Sequence, residues 1–247
     1  MSLDFGLQGV HVLITGAAGG IGFETVKTFQ QLGARVTAHY KSQLGDLDTL
    51  DDIPANPAPK SASSSATTGS GPKTTHRSPT WTSPNGRNTL AVNLTGPFLL
   101  CRAYLRALRH APESVKGTAN IIFVGSTAGK FGDADHGDYA ASKAALQYGL
   151  TPTLKNEIVG VAPRGRVNSV NPGWVATPMA EGKLRDRGFV ERALATTPLG
   201  KVARVEDVAR QVAVLASERL SGHVRGVNVM VDGGMEGRLL GPPKTSS

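Results

Sequence analysis

Short apolar runs alternate along this chain with stretches whose apolar residues recur every three or four positions. Val10-His11-Val12-Leu13-Ile14 has the pattern of a buried strand, and an amphipathic helix is predicted from about Gly20 to Leu32. Ala34 to Tyr40 reads as a second strand. A helix from Leu90 to about Arg109 follows, then a strand over 119–125. A loop from Ala128 to about Gly137 leads to a helix from about Tyr139 to Val159. Gly165 to Val170 is another buried strand, 178–198 an Arg/Lys/Glu-rich helical insert, Glu206 to about Ser217 a helix and 226–231 a strand. Strands alternating with helices predict an α/β fold, a doubly wound parallel sheet with helices on both faces. The expected organisation is one domain over 1–247 with a flexible tail at about 238–247.

Residues 45–88 break the pattern. Asp46-Leu47-Asp48 and Asp51-Asp52 lead into Pro54-Ala55-Asn56-Pro57-Ala58-Pro59, and then into a Ser/Thr/Gly run from Ser61 to Pro72. Such a stretch has little to bury and reads as a low-complexity loop or disordered segment.

Two constellations carry chemistry. Thr15-Gly16-Ala17-Ala18-Gly19-Gly20-Ile21-Gly22 stands between the first strand and its helix. Strand, glycine turn and helix is the layout in which backbone N–H groups at a helix N-terminus receive a pyrophosphate. Tyr139-Ala-Ala-Ser-Lys143 places a phenol and an ammonium on one helix face, with Ser126 waiting at the end of the preceding strand. A lysine cation beside a tyrosine favours the phenolate and is expected to lower its pKa, making a proton donor and acceptor for alcohol/carbonyl chemistry. Alone, Tyr-x-x-x-Lys is a weak signal; together with the glycine turn it is a strong one.

Taken in order, the glycine turn, Ser126 and Tyr139-x-x-x-Lys143 resemble the short-chain dehydrogenase/reductase family. Asn93, in Leu90-Ala91-Val92-Asn93-Leu94-Thr95-Gly96, sits where that family carries its catalytic asparagine. Asn171-Pro172-Gly173-Trp174-Val175-Ala176-Thr177 is similar to its nicotinamide-side loop, and Val227 to Gly234 to its last strand. The resemblance covers residues 7–42 and 88–234. It implies a Rossmann-like fold and NAD(P)-dependent interconversion of a carbonyl and a secondary alcohol. By resemblance, Tyr139 is the general acid/base, Lys143 tunes it and holds the nicotinamide ribose, and Ser126 binds the substrate oxygen. Asn93 would kink its helix and hold a relay water. Thr15, Gly16, Gly20, Ile21 and Gly22 would cradle the pyrophosphate. Pro172, Gly173, Val175 and Thr177 would line the nicotinamide side, and Met179, Ala180, Leu184 and Phe189 the substrate. The resemblance also implies a homodimer or homotetramer, through the helices at 90–109 and 139–159.

Two departures change the picture. The second strand ends in Tyr40-Lys41-Ser42, with no acidic residue to pair a ribose diol. Lys41 and Ser42 suit a 2′-phosphate, so NADP is expected over NAD. Neither the third strand of the family layout nor its central fourth strand is found in 45–88. A frame-shifted or mis-spliced segment accounts for the abrupt return of the pattern near Asn88; a divergent lid is the alternative. A catalytically impaired cofactor-binding protein is therefore a second functional expectation.

Composition removes other classes. The net charge is +8, but the cations are scattered and aromatics make up only 5%, which is unlike a nucleic-acid-binding stripe. The single cysteine, Cys101, excludes an intrachain disulfide. No leader and no membrane-spanning run is read, no metal is expected, and the cytoplasm is the expected location.

Overall fold

The computed structural model describes residues 4–39, 63–64, 83–178 and 180–236. The first unit is β1 (His11–Thr15), α1 (Gly20–Gln31) and β2 (Arg35–His39), with β1 and β2 parallel from His11↔Arg35 to Thr15↔His39. Next come β3 (Ser63–Ser64), α2 (Ser83–Leu90), a π turn over Ala91–Thr95, α3 (Gly96–Arg109) and the short α4 (Glu113–Lys116). β4 (Asn120–Val124) and α5 (Thr127–Phe131) precede one long helical run: α6 (Gly137–Ala144), a π turn over Ala145–Leu150, and α7 (Thr151–Glu157). β5 (Arg166–Pro172), β6 (Val175–Ala176), α8 (Glu181–Leu184), α9 (Arg187–Leu194), β7 (Ala203–Arg204), α10 (Val205–Ala216), α11 (Glu218–Ser221) and β8 (Asn228–Val231) complete the chain.

β4 explains the layering. All five of its residues are buried, as in a parallel strand covered on both faces. Ile122 and Val124 face one core with Val12, Ile14, Phe29, Val170 and Val212, under α1 and α10. Ile121 and Phe123 face the other with Cys101, Leu108, Leu146, Leu154 and Val167, under α3 and α7. The alternation of a strand thus feeds two cores at once, as a doubly wound sheet requires. Arg166 ties the far end: its guanidinium donates to the carbonyls of Leu215 and Ala216 at the end of α10 and of Ser221 at the end of α11, at 2.7–3.0 Å.

The pairing is parallel throughout, and β4, β5 and β8 ladder in that order. Two expectations for 45–88 are corrected. Ser63–Ser64, inside the run read as a loop, form a short strand that pairs with Asn120 and Ile121 and lies beside β1. Small hydroxyl residues can supply backbone ladder groups even where they bring no apolar side chain. The helix expected from Leu90 begins at Ser83, where Ser83-Pro84 is a favourable helix start. The loop expected after Ala128 opens with α5, capped by Ser126, whose Oγ accepts from the Ala128 N–H at 3.1 Å. The expected third strand, most of 45–88 and the tail lie outside the described residues.

Candidate active site

β4 and β5 are parallel neighbours whose carboxyl ends share one edge of their four-stranded ladder, and β1, laddered with β2, brings the turn after it against the residues that follow β5. In such folds ligands bind at the carboxyl ends of the strands. The turn after β1 is shaped by close approach. Gly16 has φ +67°, and a Cβ on Gly22 would stand 2.2 Å from the Gly16 carbonyl oxygen. At Gly20 a Cβ would meet the Thr177 side chain and Pro178 at 3.1 Å. The glycine turn and the loop after β5 therefore touch, joining two sets of residues separated by more than half the chain. Thr15 is buried and its Oγ1 has no protein partner among the described residues.

Not every expected residue contributes its side chain. Ile21 packs, partly buried, against the first core, and so does Val175, which is buried and paired with Ala203. Pro172 ends β5 opposite Val231, and Gly173 follows with its N–H on the Val231 carbonyl at 3.1 Å. The Thr177 Oγ1 accepts from the Ala180 N–H at 3.3 Å. Tyr40, Lys41, Ser42 and Met179 lie outside the described residues, as does the side chain of Phe189. Ala180 and Leu184 are half-buried.

Tyr139, Lys143, Ser126 and Asn93 are brought together. The Tyr139 hydroxyl is hydrogen-bonded to the Ser126 side chain. Lys143 is fully buried, its Nζ 5.6 Å from the Tyr139 ring centre and donating to the Val124 carbonyl at 2.8 Å. Asn93 lies in the π turn between α2 and α3, completely buried. Its Nδ2 donates to Ser142 Oγ at 3.1 Å, and Ser142 donates to the Tyr139 carbonyl at 2.7 Å. Asn93 Oδ1 has no partner among the described residues. The motif comparison missed this bridge through Ser142, and with it Thr89 Oγ1, which binds Asp138 Oδ2 at 2.6 Å and moors α2 to α6.

The electrostatics correct one expectation. Burial raises the Tyr139 pKa above its ordinary value; the Ser126 hydrogen bond opposes this and the Asp133 charge adds to it. Lys143 does not win here: burial pushes its own pKa down to about 8. A lysine in the unfolded chain titrates near ~10.4. Between about pH 8 and ~10.4 the unfolded chain therefore keeps a proton the folded chain has released, and this group makes stability rise with pH across that window. Below about pH 8 the full cost of burying the charge remains, about 3 kcal/mol. Lys143→Met is expected to be more stable than the parent at pH 7, with the gap closing toward pH ~10.4. Urea unfolding at a series of pH values checks this; a gap that does not change with pH refutes it.

Among the described residues, no group of three or more His, Cys, Asp or Glu is placed to hold a metal. None of their helices is long and apolar enough to cross a membrane. The residues present do fit a dinucleotide: the turn after β1 has no room for a Cβ at Gly20 or Gly22, and the buried Thr15 hydroxyl and Asn93 amide oxygen have no partner among the described residues.

Residues 66–236 match a family model described as enoyl-(acyl carrier protein) reductase. The chain is 41% identical over 148 residues to the (3R)-3-hydroxyacyl-CoA dehydrogenase of Rattus norvegicus, covering 59% of this chain and 52% of that protein. It thus spans about half the length of that relative. It is 33% identical to the L-xylulose reductase of Bos taurus, covering 94% of this chain and 98% of the relative. A solved short chain dehydrogenase/reductase family protein superimposes with a TM-score of 0.77 at 28% identity, covering 94% and 98% of the two chains. The chain belongs to the short-chain dehydrogenase/reductase family, whose members bind NAD(P).

Proposed function

We propose that this chain interconverts a carbonyl and a secondary alcohol with NAD(P), NADP being preferred. The observation that carries the reading is the Tyr139 hydroxyl hydrogen-bonded to Ser126, with buried Lys143 beneath the same ring. Bound NADP supplies or accepts the hydride. In reduction the Tyr139 hydroxyl gives its proton to the carbonyl oxygen; in oxidation it takes the alcohol proton. Ser126 Oγ holds the substrate oxygen next to that phenol. Lys143 holds the cofactor ribose and supports the tyrosine while it is deprotonated. Asn93 Oδ1 accepts from a relay water, with Ser142 holding its amide. Thr15, Gly16, Gly20, Ile21 and Gly22 hold the pyrophosphate, and Pro172, Gly173, Val175 and Thr177 the nicotinamide. Lys41 and Ser42, beside Tyr40, meet the 2′-phosphate.

The reading is tested by following NADPH consumption with a panel of carbonyl compounds that includes L-xylulose and a 3-oxoacyl-CoA. At least one is expected to be reduced, with a lower KM for NADPH than for NADH; equal values sink the NADP preference. A second reading has its own observation. β3 pairs over two residues where β4 and β5 pair over five, leaving the centre of the sheet lightly laddered. A protein stabilised by NADPH that reduces nothing in the panel selects an impaired, cofactor-binding member instead.

The same reading includes a homodimer or homotetramer. Phe98 of α3 and Tyr148 of the π turn are 50% and 51% exposed, on the two helical runs expected at the interface. A monomer in sedimentation at assay concentration overturns it.

A further inference from the structure

The helical run carrying Tyr139 and Lys143 widens into a π turn over Ala145–Leu150, and such turns concentrate at functional sites. Here the turn presents Gln147 inward, 0% exposed. Neither Oε1 nor Nε2 of Gln147 has a protein partner among the described residues. Above it runs the turn that carries Ser126. A Cβ on Gly129 would lie 1.8 Å from Gln147 Oε1, and one on Gly125 would lie 2.8 Å from Gln147 Cγ and 2.0 Å from Asn171 Oδ1. The two glycines that bracket Ser126 to Ala128 therefore rest directly on Gln147 and Asn171.

Asn171 is also fully buried, and its Nδ2 is unpaired as well. Its Oδ1 is 2.7 Å from Ser169 Oγ, which is 2.7 Å from Asn228 Oδ1; Asn228 Nδ2 in turn donates to the Gln147 carbonyl at 3.2 Å. Three buried amide atoms of Gln147 and Asn171 thus lack a partner among the described residues, beneath the two glycines that flank the Ser126 turn. Burying such groups without partners is costly, and buried polar groups of this kind are what internal waters satisfy. A residue chosen only to fill space there would be apolar.

We propose that Gln147 is a positioning residue: with Asn171 it holds a buried water beneath the Gly125–Gly129 turn and so keeps Ser126 in register with Tyr139. The proposal rests on the roles given above to Ser126 and Tyr139. Gln147→Met fills nearly the same volume without amide atoms, and Gln147→Glu, neutral when buried, keeps polar atoms in the same place. A high-resolution crystal structure of the unaltered chain is expected to show water within hydrogen-bond reach of Gln147 and Asn171, and Gln147→Met to lose it. Tyr139 is followed directly by ¹³C NMR of the tyrosine ring carbons, the chain having only four tyrosines. Gln147→Met is expected to move the Tyr139 titration to higher pH, because the Ser126 hydrogen bond that opposes that rise is loosened. It should lower kcat about tenfold while KM for NADPH holds, and Gln147→Glu should restore most of the loss. A dry pocket in the unaltered chain overturns the proposal, whether or not the variants fold. An unmoved Tyr139 titration in folded Gln147→Met also overturns it. If the titration moves but the unaltered protein reduces no carbonyl, the oxidoreductase reading falls and the positioning role stands.

Discussion

Tyr139→Phe is expected to lower kcat by about a thousandfold while leaving the fold and the KM for NADPH nearly unchanged. The substitution removes one oxygen and keeps the ring that stands over Lys143. Among the described residues the hydroxyl is hydrogen-bonded to the Ser126 side chain, so its loss costs stability about 1 kcal/mol. Catalysis loses far more, since Tyr139 is the acid proposed to protonate a substrate oxygen held by Ser126. The raised pKa of Tyr139 adds a direction to this. Without cofactor the phenol is fully protonated at neutral pH and ready to donate, which suits reduction. Alcohol oxidation needs the phenolate and should quicken as pH rises. In Tyr139→Phe any residual oxidation should lose that pH dependence. Steady-state rates in both directions across pH check the pair of statements. A variant within tenfold of the parent would remove Tyr139 from the acid/base role.

The catalytic set is legible in the sequence because its geometry is local. Tyr139 and Lys143 are one helical turn apart, so spacing alone places them together. Ser126 stands two residues past a strand whose five buried residues announce it. What joins these groups is not local. Ser142 reaches Asn93 across forty-nine positions, and nothing marks either residue as the other's partner until α2 and α6 are packed. Gln147 is four residues beyond Lys143, so helical spacing puts it on the same face, but its place beside Asn171 under the Ser126 turn is set only by the closed fold. The Tyr139 pKa is misjudged from sequence for a related cause. Proximity of a cation is visible in the spacing; the burial that outweighs it is a property of the closed fold. Segment 45–88 is hardest, because a strand of Ser63–Ser64 has no apolar pattern by which to be recognised and is defined only by its neighbours β4 and β1.

Gly22→Ala is expected to weaken NADP binding by at least about a hundredfold, close to 3 kcal/mol. One methyl group has this effect because of what it meets. The new Cβ would lie 2.2 Å from the Gly16 oxygen, 2.8 Å from the Gly16 carbonyl carbon and 3.1 Å from Ala17 Cα. All three are backbone atoms, so no side-chain rotation relieves the clash. Gly16, held at φ +67°, has few other conformations that still connect β1 to α1. Either α1 slides away from the turn or the turn opens; both pull the helix N-terminus off the position where it would meet a pyrophosphate. Overpacking of this kind also costs about 1–3 kcal/mol of stability, so Tm should fall by several degrees. Gly160→Ala is the control. It adds the same methyl at an exposed position with nothing within 4 Å, and it should leave NADP binding unchanged and stability equal or slightly higher. Calorimetric titration with NADP and thermal melts of both variants separate the two cases. If Gly22→Ala binds NADP as the parent does while melting at the same temperature, the turn between β1 and α1 is not the phosphate cradle.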